Sequence, residues 1–280
     1  MNKLVIAAAM ALALSPAVRA DVTSANVVGY QNHALTPLYN FSVSTFERVD
    51  GSAAKLGDIK CNENVSLSGT DFQLLDDNGA TATIKVDGLG DVLAIFWYVP
   101  ADIAEGAGID PGWYLMYDDE VQPDYPMNDF ELPFGQGYLM NCGDNDAAVI
   151  YSGAVRATDF PRELTPLYNF LGNCSPVDLT LGDFVCNENV SLSGTDLQIL
   201  DDNGATDTIE VEGLGEVLAI FWYVPADIAE GAGIDPGWYL MYDDEVQPDY
   251  PMNDFPIPAG QGFLMNCGDN DAVVTIPTAL

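Results

Sequence analysis

The chain has 280 residues, which is enough for one large domain or two domains of ordinary size. It carries 43 acidic and eight basic residues, so its formal net charge is −35. Nucleic-acid binding requires basic side chains that neutralise phosphates, so this composition excludes a nucleic-acid partner, and it disfavours an anionic membrane surface. A solvated acidic surface is the simplest interpretation of the charge, and bound divalent cations would relieve its self-repulsion.

An export signal is predicted over residues 1–20. Lys3 precedes an unbroken apolar run from Leu4 to Leu14, and Val18-Arg19-Ala20 fits a signal-peptidase site. The run is too short to cross a bilayer as a stable helix, although retention as an uncleaved anchor is the alternative. We therefore expect a secreted or cell-surface protein, and cleavage would leave a net charge of about −37 because two basic residues are removed.

The rest of the chain is predicted to be two tandem copies of one module. Val92–Phe130 returns letter for letter as Val217–Phe255, at an offset of 125 residues. Segments nearer the start of each copy are related by an offset of 129, so the first copy has four extra residues, as expected of a surface loop. We expect the first module, with its N-terminal lead-in, at residues 21–155 and the second at residues 156–280.

The first copy shows the period of two that is typical of β-strands. Phe72 and Leu74 alternate with Asp71 and Gln73, and the Asp-Asp-Asn-Gly segment that follows is a strong hairpin signal. A return strand is therefore predicted over residues 82–86.

Further elements follow in chain order. The patterns predict a strand at Val92–Val99 that is buried on both faces, or on one face with a binding surface on the other. They also predict at most one helical turn at residues 101–108, a strand at Trp113–Tyr117, an acidic loop at Asp118–Asp129, and a last hairpin from Gly137–Cys142 to Ala147–Tyr151. Many short strands with closely spaced turns favour an all-β protein made of two tandem homologous modules, each similar to a β-sandwich or a barrel.

Two motifs resemble a functionally uncharacterised group of exported bacterial proteins built from β-rich tandem repeats. The first is Asn26-Val27-Val28-Gly29-Tyr30, and the second is Leu132-Pro133-Phe134-Gly135-Gln136-Gly137-Tyr138, which recurs as Ile257-Pro258-Ala259-Gly260-Gln261-Gly262-Phe263. The resemblance implies an extracellular β-module, and it brings no known activity and no catalytic residue.

Four of the five cysteines fall at equivalent positions of the two copies. One bridge in each module would join Cys61 to Cys142 and Cys186 to Cys267, and Cys174 would be left over. Export permits such disulfides, each of which would stabilise the fold by roughly 4 kcal/mol in the chain-entropy model. Connectivity does not follow from sequence, and buried free thiols are the alternative.

Several kinds of catalysis are poorly supported. His33 is the only histidine and has no counterpart in the second copy, so a Ser-His-Asp or Cys-His arrangement could exist in one copy at most, and a Cys/His zinc site lacks its ligands. No glycine-rich phosphate loop is complete. A glycoside hydrolase needs two suitably spaced carboxyl groups, and the many acidic residues offer candidates without selecting a pair: Glu105, Asp118, Asp119, Glu120 and Asp129.

Calcium is a better use of these oxygen atoms, because it prefers six to eight oxygen ligands. The metal-ligand candidates are the acidic residues of the predicted loop and of its repeat: Asp118, Asp119, Glu120, Asp129, Asp243, Asp244, Glu245 and Asp254. The same residues also fit ordinary polar turns.

Several aromatic side chains of the first copy could stack against sugars: Trp97, Trp113, Tyr114, Tyr117 and Tyr125. The ligand-binding candidates are Trp113, Tyr117, Tyr125, Trp238, Tyr242 and Tyr250. The alternation of the strand places Trp113 with Leu115, however, which favours packing in the core.

The first functional hypothesis is an exported, non-enzymatic surface or matrix protein with a binding or structural role, stabilised by Ca²⁺, the one cofactor considered. A pair of carbohydrate-binding modules is the alternative, and an extracellular glycoside hydrolase is the third hypothesis. The expected partners are polysaccharides or other surface proteins. Two copies with the same residues offer two equivalent sites, which suits avidity better than a single catalytic centre.

Overall fold

A computed structural model describes residues 28–35, 37, 39–61, 69–143, 147–186, 194–201, 204–269 and 272–277. The predicted export signal lies outside these residues. Short β-strands dominate, and the described residues contain only two short α-helices, so the all-β prediction is confirmed. No helix of the described part is long and apolar enough to cross a membrane.

The elements of the first half are β1 Val28–Leu35, β2 Tyr39–Val43, β3 Ala54–Lys55, β4 Lys60–Cys61, β5 Asp71–Leu74, β6 Thr83–Val86, β7 Gly90–Leu93, β8 Ile95–Val99, α1 Ala101–Ala107, β9 Gly112–Tyr117, β10 Glu120–Pro126, β11 Glu131–Leu132, β12 Gly137–Asn141 and β13 Ala147–Ala154. A 3₁₀ turn at Leu56–Asp58 precedes β4.

The elements of the second half are β14 Phe160–Leu164, β15 Tyr168–Gly172, β16 Leu179–Thr180, β17 Val185–Cys186, β18 Asp196–Ile199, β19 Thr208–Val211, β20 Gly215–Leu218, β21 Ile220–Val224, α2 Ala226–Ala232, β22 Gly237–Tyr242, β23 Glu245–Pro251, β24 Pro256–Ile257, β25 Gly262–Asn266 and β26 Ala272–Ile276. A second 3₁₀ turn lies at Leu181–Asp183.

Each half contains one six-stranded antiparallel sheet. Its order is β10-β9-β8-β5-β12-β2 in the first half, and the equivalent strands of the second half follow the same order, from β23 at one edge to β15 at the other. A three-stranded sheet accompanies it, β1-β13-β4 in the first half and β14-β26-β17 in the second. Within the described residues none of these sheets closes into a barrel.

The inner face of the first six-stranded sheet forms a core with the three-stranded sheet. Phe72, Phe96 and Met140 project from the larger sheet and are fully buried, and Leu35 and Val149 join the same cluster from β1 and β13. The period of two places apolar residues on this face and leaves alternate residues of β5, β8 and β12 on the opposite, outer face.

A helix covers part of the outer face. Pro100 ends β8, and Gly108 ends α1 in the left-handed conformation (φ 72°) that favours glycine. Ala104 is the buried residue of α1, and it packs against Val99 and Tyr114 on the outer face. The helix has seven residues, longer than the single turn predicted, because this contact adds to its weak intrinsic propensity.

The segment predicted as one buried strand, Val92–Val99, is two strands. At Ala94 the chain changes partner: β7 pairs with β6, whereas β8 joins the six-stranded sheet. The Ala94 N–H donates to Ala82 O and its carbonyl accepts from Leu74 N–H. The predicted hairpin of β5 with the return strand is therefore limited to the turn itself, where Ala82 N–H donates to Leu74 O.

The predicted acidic loop is mostly a strand. Asp118 and Asp119 have φ of 53° and 61°, so they form a two-residue turn in which both residues are left-handed, and β10 starts at the next residue. Pro123 and Pro126 suggested a loop, but β10 lies at the sheet edge, where a missing N–H leaves no neighbouring strand unpaired. The loop prediction was wrong because edge strands tolerate proline.

The last predicted hairpin was also wrong. β12 lies in the six-stranded sheet between β5 and β2, whereas β13 lies in the three-stranded sheet between β1 and β4. The chain therefore crosses from one layer to the other between these strands, which a turn signal alone does not reveal.

The two halves contact each other through β2 and β15, the inner-edge strands of their six-stranded sheets. The rings of Phe41 and Phe170 have centroids 6.1 Å apart, and Phe170 is 3% exposed. Ser42 Oγ donates to Gly260 O at 2.7 Å, and Phe170 N–H donates to Asp77 O at 2.6 Å. Both apolar and backbone contacts therefore hold the halves together.

Arg156, between the halves, is also fixed. Its guanidinium lies 5.2 Å from the ring centre of Phe134 and 5.1 Å from that of Phe160, and it pairs with Glu47 at 3.0 Å. Cation–π contacts and the ion pair therefore anchor the connection between the halves.

Candidate functional site

The acidic candidates do not come together at one place. Asp118, Asp119 and Glu120 lie at the turn between β9 and β10, opposite Tyr117. Asp129 lies near Trp113 at the other end of β9, about 13 Å away at the usual strand rise. Within the described residues no group of three or more His, Cys, Asp or Glu side chains could hold a metal ion, and calcium binding stays a prediction.

Asp129 forms an ion pair with Lys55. Lys55 Nζ lies 2.7 Å from Asp129 Oδ1, and this hydrogen bond and the charge of Lys55 lower the pKa of Asp129. The equivalent of Lys55 in the second half is Thr180, so Asp254 has no such lysine. The metal candidates Asp243, Asp244 and Glu245 repeat the turn of the first half, with φ of 52° and 59° at the two aspartates.

The predicted sugar-stacking residues are dispersed. Trp113 and Trp238 are each 1% exposed and contact the rings of Tyr98 and Tyr223, at centroid distances of 5.2 and 5.3 Å, so neither indole offers a face to a ligand. Their indole N–H groups have no hydrogen-bond acceptor among the residues that the structure describes. Tyr117 and Tyr242 are 36% exposed beside the acidic turns, whereas Tyr125 and Tyr250 are half-buried.

A small pocket lies beside each of these tryptophans. In the first half its volume is about 270 Å³, and Asn128 fixes the wall by accepting the Trp113 backbone N–H at 3.0 Å. The equivalent pocket, about 510 Å³, has Asn253 in the same role. Of the described part of the chain, no charged residue lines either pocket.

A different set of side chains comes together on the outer face of the six-stranded sheet. Asp71 on β5 lies directly opposite Trp97 on β8 and Asn141 on β12. The alignment continues to Tyr39 on β2 and to Tyr114 on β9. We call these five residues the Asp–Trp row. The second half has the same row: Tyr168, Asn266, Asp196, Trp222 and Tyr239.

The row is partly exposed, although its carboxylate is buried and Trp97 packs against the cluster of Val99, Ala104 and Tyr114. α1 covers Tyr114 at one end, and the other half of the molecule packs near Tyr39 at the opposite end. Between these contacts Trp97 and Asn141 are partly exposed, as are Trp222 and Asn266 in the second half. The row therefore presents an indole and an amide beside a carboxylate.

The carboxylate of the row is held in place and desolvated. Asp71 is 8% exposed, and Gln73 Nε2 donates to its Oδ2 at 2.8 Å. Thr81 Oγ1 donates to Gln73 Oε1 at 3.0 Å, which orients the amide. Burial raises the pKa of Asp71, and the hydrogen bond from Gln73 partly opposes this effect.

Asp196 has the same surroundings. It is 7% exposed and accepts a hydrogen bond of 2.7 Å from Gln198 Nε2, whose Oε1 accepts from Thr206 at 3.1 Å. Burial raises its pKa, while Gln198 and Asn266 lower it through hydrogen bonds. Each of the four ion pairs among the described residues uses another carboxylate, so neither row contains a paired cation there.

The buried thiols of Cys142 and Cys174 are unreactive as nucleophiles. Burial raises the pKa of Cys142 to about 11 and that of Cys174 to about 12, so both are protonated at neutral pH and unsuited to nucleophilic attack. Cys267 Sγ donates to Thr165 O at 3.0 Å. The side chains of Cys61 and Cys186 lie outside the described residues, as does that of His33, and the two disulfides stay a prediction.

The sequence offered Trp97 and Tyr114 as aromatic side chains that could stack against sugars, but it did not predict the row that they form with Asp71. The alternation did separate Asp71 and Gln73 from the apolar face of β5, which was the available signal. The sequence could not show that β8 and β12 flank β5, nor the register that aligns Trp97 and Asn141 with Asp71.

Comparison with known proteins finds no relative of this chain: no protein-family model, no curated protein and no solved structure matches it.

Proposed function

We propose that the chain is an exported, non-catalytic carbohydrate-binding protein, made of two tandem sandwich-like modules that each hold one site at the Asp–Trp row. The observation that carries this proposal is the partly exposed Trp97 aligned with the carboxylate of Asp71 and the amide of Asn141. Sugars combine apolar ring faces with many hydroxyl groups. An indole face packs against the apolar ring face of a sugar, and carboxylate and amide oxygens accept hydrogen bonds from its hydroxyl groups.

The shape of the row favours an extended chain of sugars. Tyr39 and Trp97 lie on strands separated by three strand spacings, about 14 Å. In the second half, where the equivalent Tyr168 is 44% exposed, an oligosaccharide that runs across the strands would contact Tyr168, Trp222 and the polar residues between them. A monosaccharide would contact only part of the row.

Binding fits the row better than hydrolysis does. Glycoside hydrolysis requires two carboxyl groups on either side of the scissile bond, and each row contains one. The two rows lie on halves that contact each other through Phe41 and Phe170. One polymer that reaches both rows would bind with avidity, because the second contact is then intramolecular.

The structural hypothesis, a matrix protein stabilised by calcium, is the second candidate. It is favoured by the charge distribution, since no Lys, Arg or His follows Arg162 in the sequence. Divalent cations would reduce repulsion among the carboxylates of this segment. It is compatible with sugar binding at the outer face.

Retention on a panel of insoluble polysaccharides tests the proposed function. The full chain should be retained on at least one polymer. Trp97→Ala with Trp222→Ala should lower its affinity about tenfold, since an aromatic contact contributes roughly 0.5–1.5 kcal/mol beyond the apolar area that it buries and about 1.4 kcal/mol is a factor of ten. The matched control is Tyr117→Ala with Tyr242→Ala, which removes exposed rings outside the row and should leave retention unchanged. Both variants should keep the circular dichroism spectrum of the parent.

Two results would contradict the proposal. One is the absence of retention on every polymer of the panel. The other is retention that survives loss of the row tryptophans but disappears with the tyrosine pair, which would place the site at the acidic turns. Release of reducing sugars would contradict the non-catalytic assignment.

A further inference from the structure

The carboxylate of each row lacks a countercharge. Asp71 is 8% exposed, and within the described residues its side chain contacts the neutral amide of Gln73. Asp196 belongs to a segment with no basic residue at all after Arg162. A desolvated carboxylate is stabilised most by a cation, so a ligand that brings one gains more there than a neutral ligand does.

The neighbouring indole favours the same kind of ligand. Trp97 lies directly opposite Asp71, and Trp222 lies directly opposite Asp196. An ammonium group placed between the two side chains would pair with the carboxylate and lie against the aromatic ring. Tryptophan gives the strongest cation–π contact of the aromatic residues.

The negative electrostatic potential of the whole protein also favours a cationic ligand. A net charge of −35 attracts polycations from a distance and repels polymers that carry uronic acids or sulfates. This long-range attraction is not specific to the row, and any test must separate it from local contacts.

From these observations we infer that the ligand is a cationic glycan, a polymer containing sugars with a free amino group, whose ammonium groups bind between Asp71 and Trp97 and between Asp196 and Trp222. This inference rests on the proposed function, because it names the class of sugar that the same rows recognise. The Oδ1 atoms of Asn141 and Asn266 already accept the backbone N–H of Gly143 and of Gly268, so their Nδ2 groups would donate hydrogen bonds to the adjacent hydroxyl groups.

Three oligosaccharides of equal length test the inference: β-1,4-linked glucosamine, N-acetylglucosamine and glucose. They share one backbone and carry an ammonium, an acetamide or a hydroxyl group at the second carbon. Calorimetry with the full chain, at physiological ionic strength and a mildly acidic pH that protonates the amine, should show at least about tenfold tighter binding of the glucosamine oligomer.

Two paired variants separate local from long-range attraction. Asp71→Asn with Asp196→Asn keeps the shape of the row and should remove the preference for glucosamine. Asp124→Asn with Asp249→Asn makes the same change of net charge at exposed positions of β10 and β23, and should leave the preference within about twofold, because exposed charges are screened by salt.

Each remaining outcome decides against the inference. Equal or tighter binding of the two neutral oligomers overturns it and leaves carbohydrate binding in place. A preference for glucosamine that both aspartate pairs reduce equally shows attraction by net charge alone, and also overturns it. If none of the three oligomers binds while another polysaccharide is retained through the row tryptophans, the cationic ligand is wrong and the proposed function stands. Absence of binding to any glycan contradicts both.

Discussion

Truncation of Phe170 should separate the two halves of the molecule. Its ring contacts Phe41 and lies over Gly137, where an added Cβ would approach the ring within 2.6 Å. These contacts lie on the first half, although Phe170 belongs to the second. Phe170 also belongs to the buried core cluster of the second half and lies against Gly262. Phe170→Ala therefore removes apolar surface shared by the halves together with part of that cluster.

The expected effect is large because the side chain is 3% exposed and closely packed. Deletion of a buried phenylalanine ring costs about 3–5 kcal/mol, including the cavity that is left. For a chain of this size that loss corresponds to a fall in melting temperature of roughly 10 °C. We expect the parent to unfold in one transition and the variant to unfold in two, since the halves then lose most of their coupling.

Differential scanning calorimetry measures both effects. Phe221→Ala is the matched control, because Phe221 is fully buried and its ring contacts Phe255 within the second half. It should lower stability by a similar amount and keep a single transition. A parent that already unfolds in two transitions, or a Phe170→Ala variant destabilised by less than about 1 kcal/mol, would refute the coupling through Phe41 and Phe170.

Other predictions concern charge and thiols. Burial raises the pKa of Asp71 and Asp196 in the folded state, so the ionised carboxylates destabilise the fold. Asp71→Asn with Asp196→Asn should therefore raise the melting temperature at neutral pH. The gain should vanish below the pKa of an unfolded aspartate, where the carboxyl groups are neutral in the folded and in the unfolded chain. A gain confined to acidic pH would contradict this sign. Millimolar calcium should raise the melting temperature more than equal magnesium does and a chelator should reverse it, whereas no shift would remove the calcium hypothesis. Thiol titration of denatured, unreduced protein should find one free thiol if both disulfides form; five would exclude them.

Local patterns predicted local structure well. The alternation around Phe72 and Leu74 predicted β5 and its buried face, and the run Trp113–Tyr117 predicted most of β9. Pro100 and Gly108 bound the helix that the sequence suggested only as a turn. These features depend on a few neighbouring residues, whose preferences are legible in one sequence.

Pairing between distant strands was not predictable in the same way. The sequence of Val92–Val99 is one apolar run, yet it forms two strands that separate at Ala94. The first part, β7, pairs with β6, and the second part, β8, pairs with β5. The Asp–Trp row joins five strands, and its first and last members, Tyr39 and Asn141, have a sequence separation of 102 residues. The register that aligns them is set by the packing of whole sheets, and no short motif carries that information.

The proline-containing edge strands have a consequence for how copies of this protein meet. Each six-stranded sheet has one edge at β10 or β23 and the other at β2 or β15. Pro123 and Pro126 interrupt the row of N–H donors along β10, and the same residues recur in β23. The opposite edges bond to the other half through Ser42 and Phe170. Neither edge of the six-stranded sheets therefore offers a complete template for a further strand, and we expect these sheets to resist edge-to-edge pairing even when copies are crowded on a polymer surface.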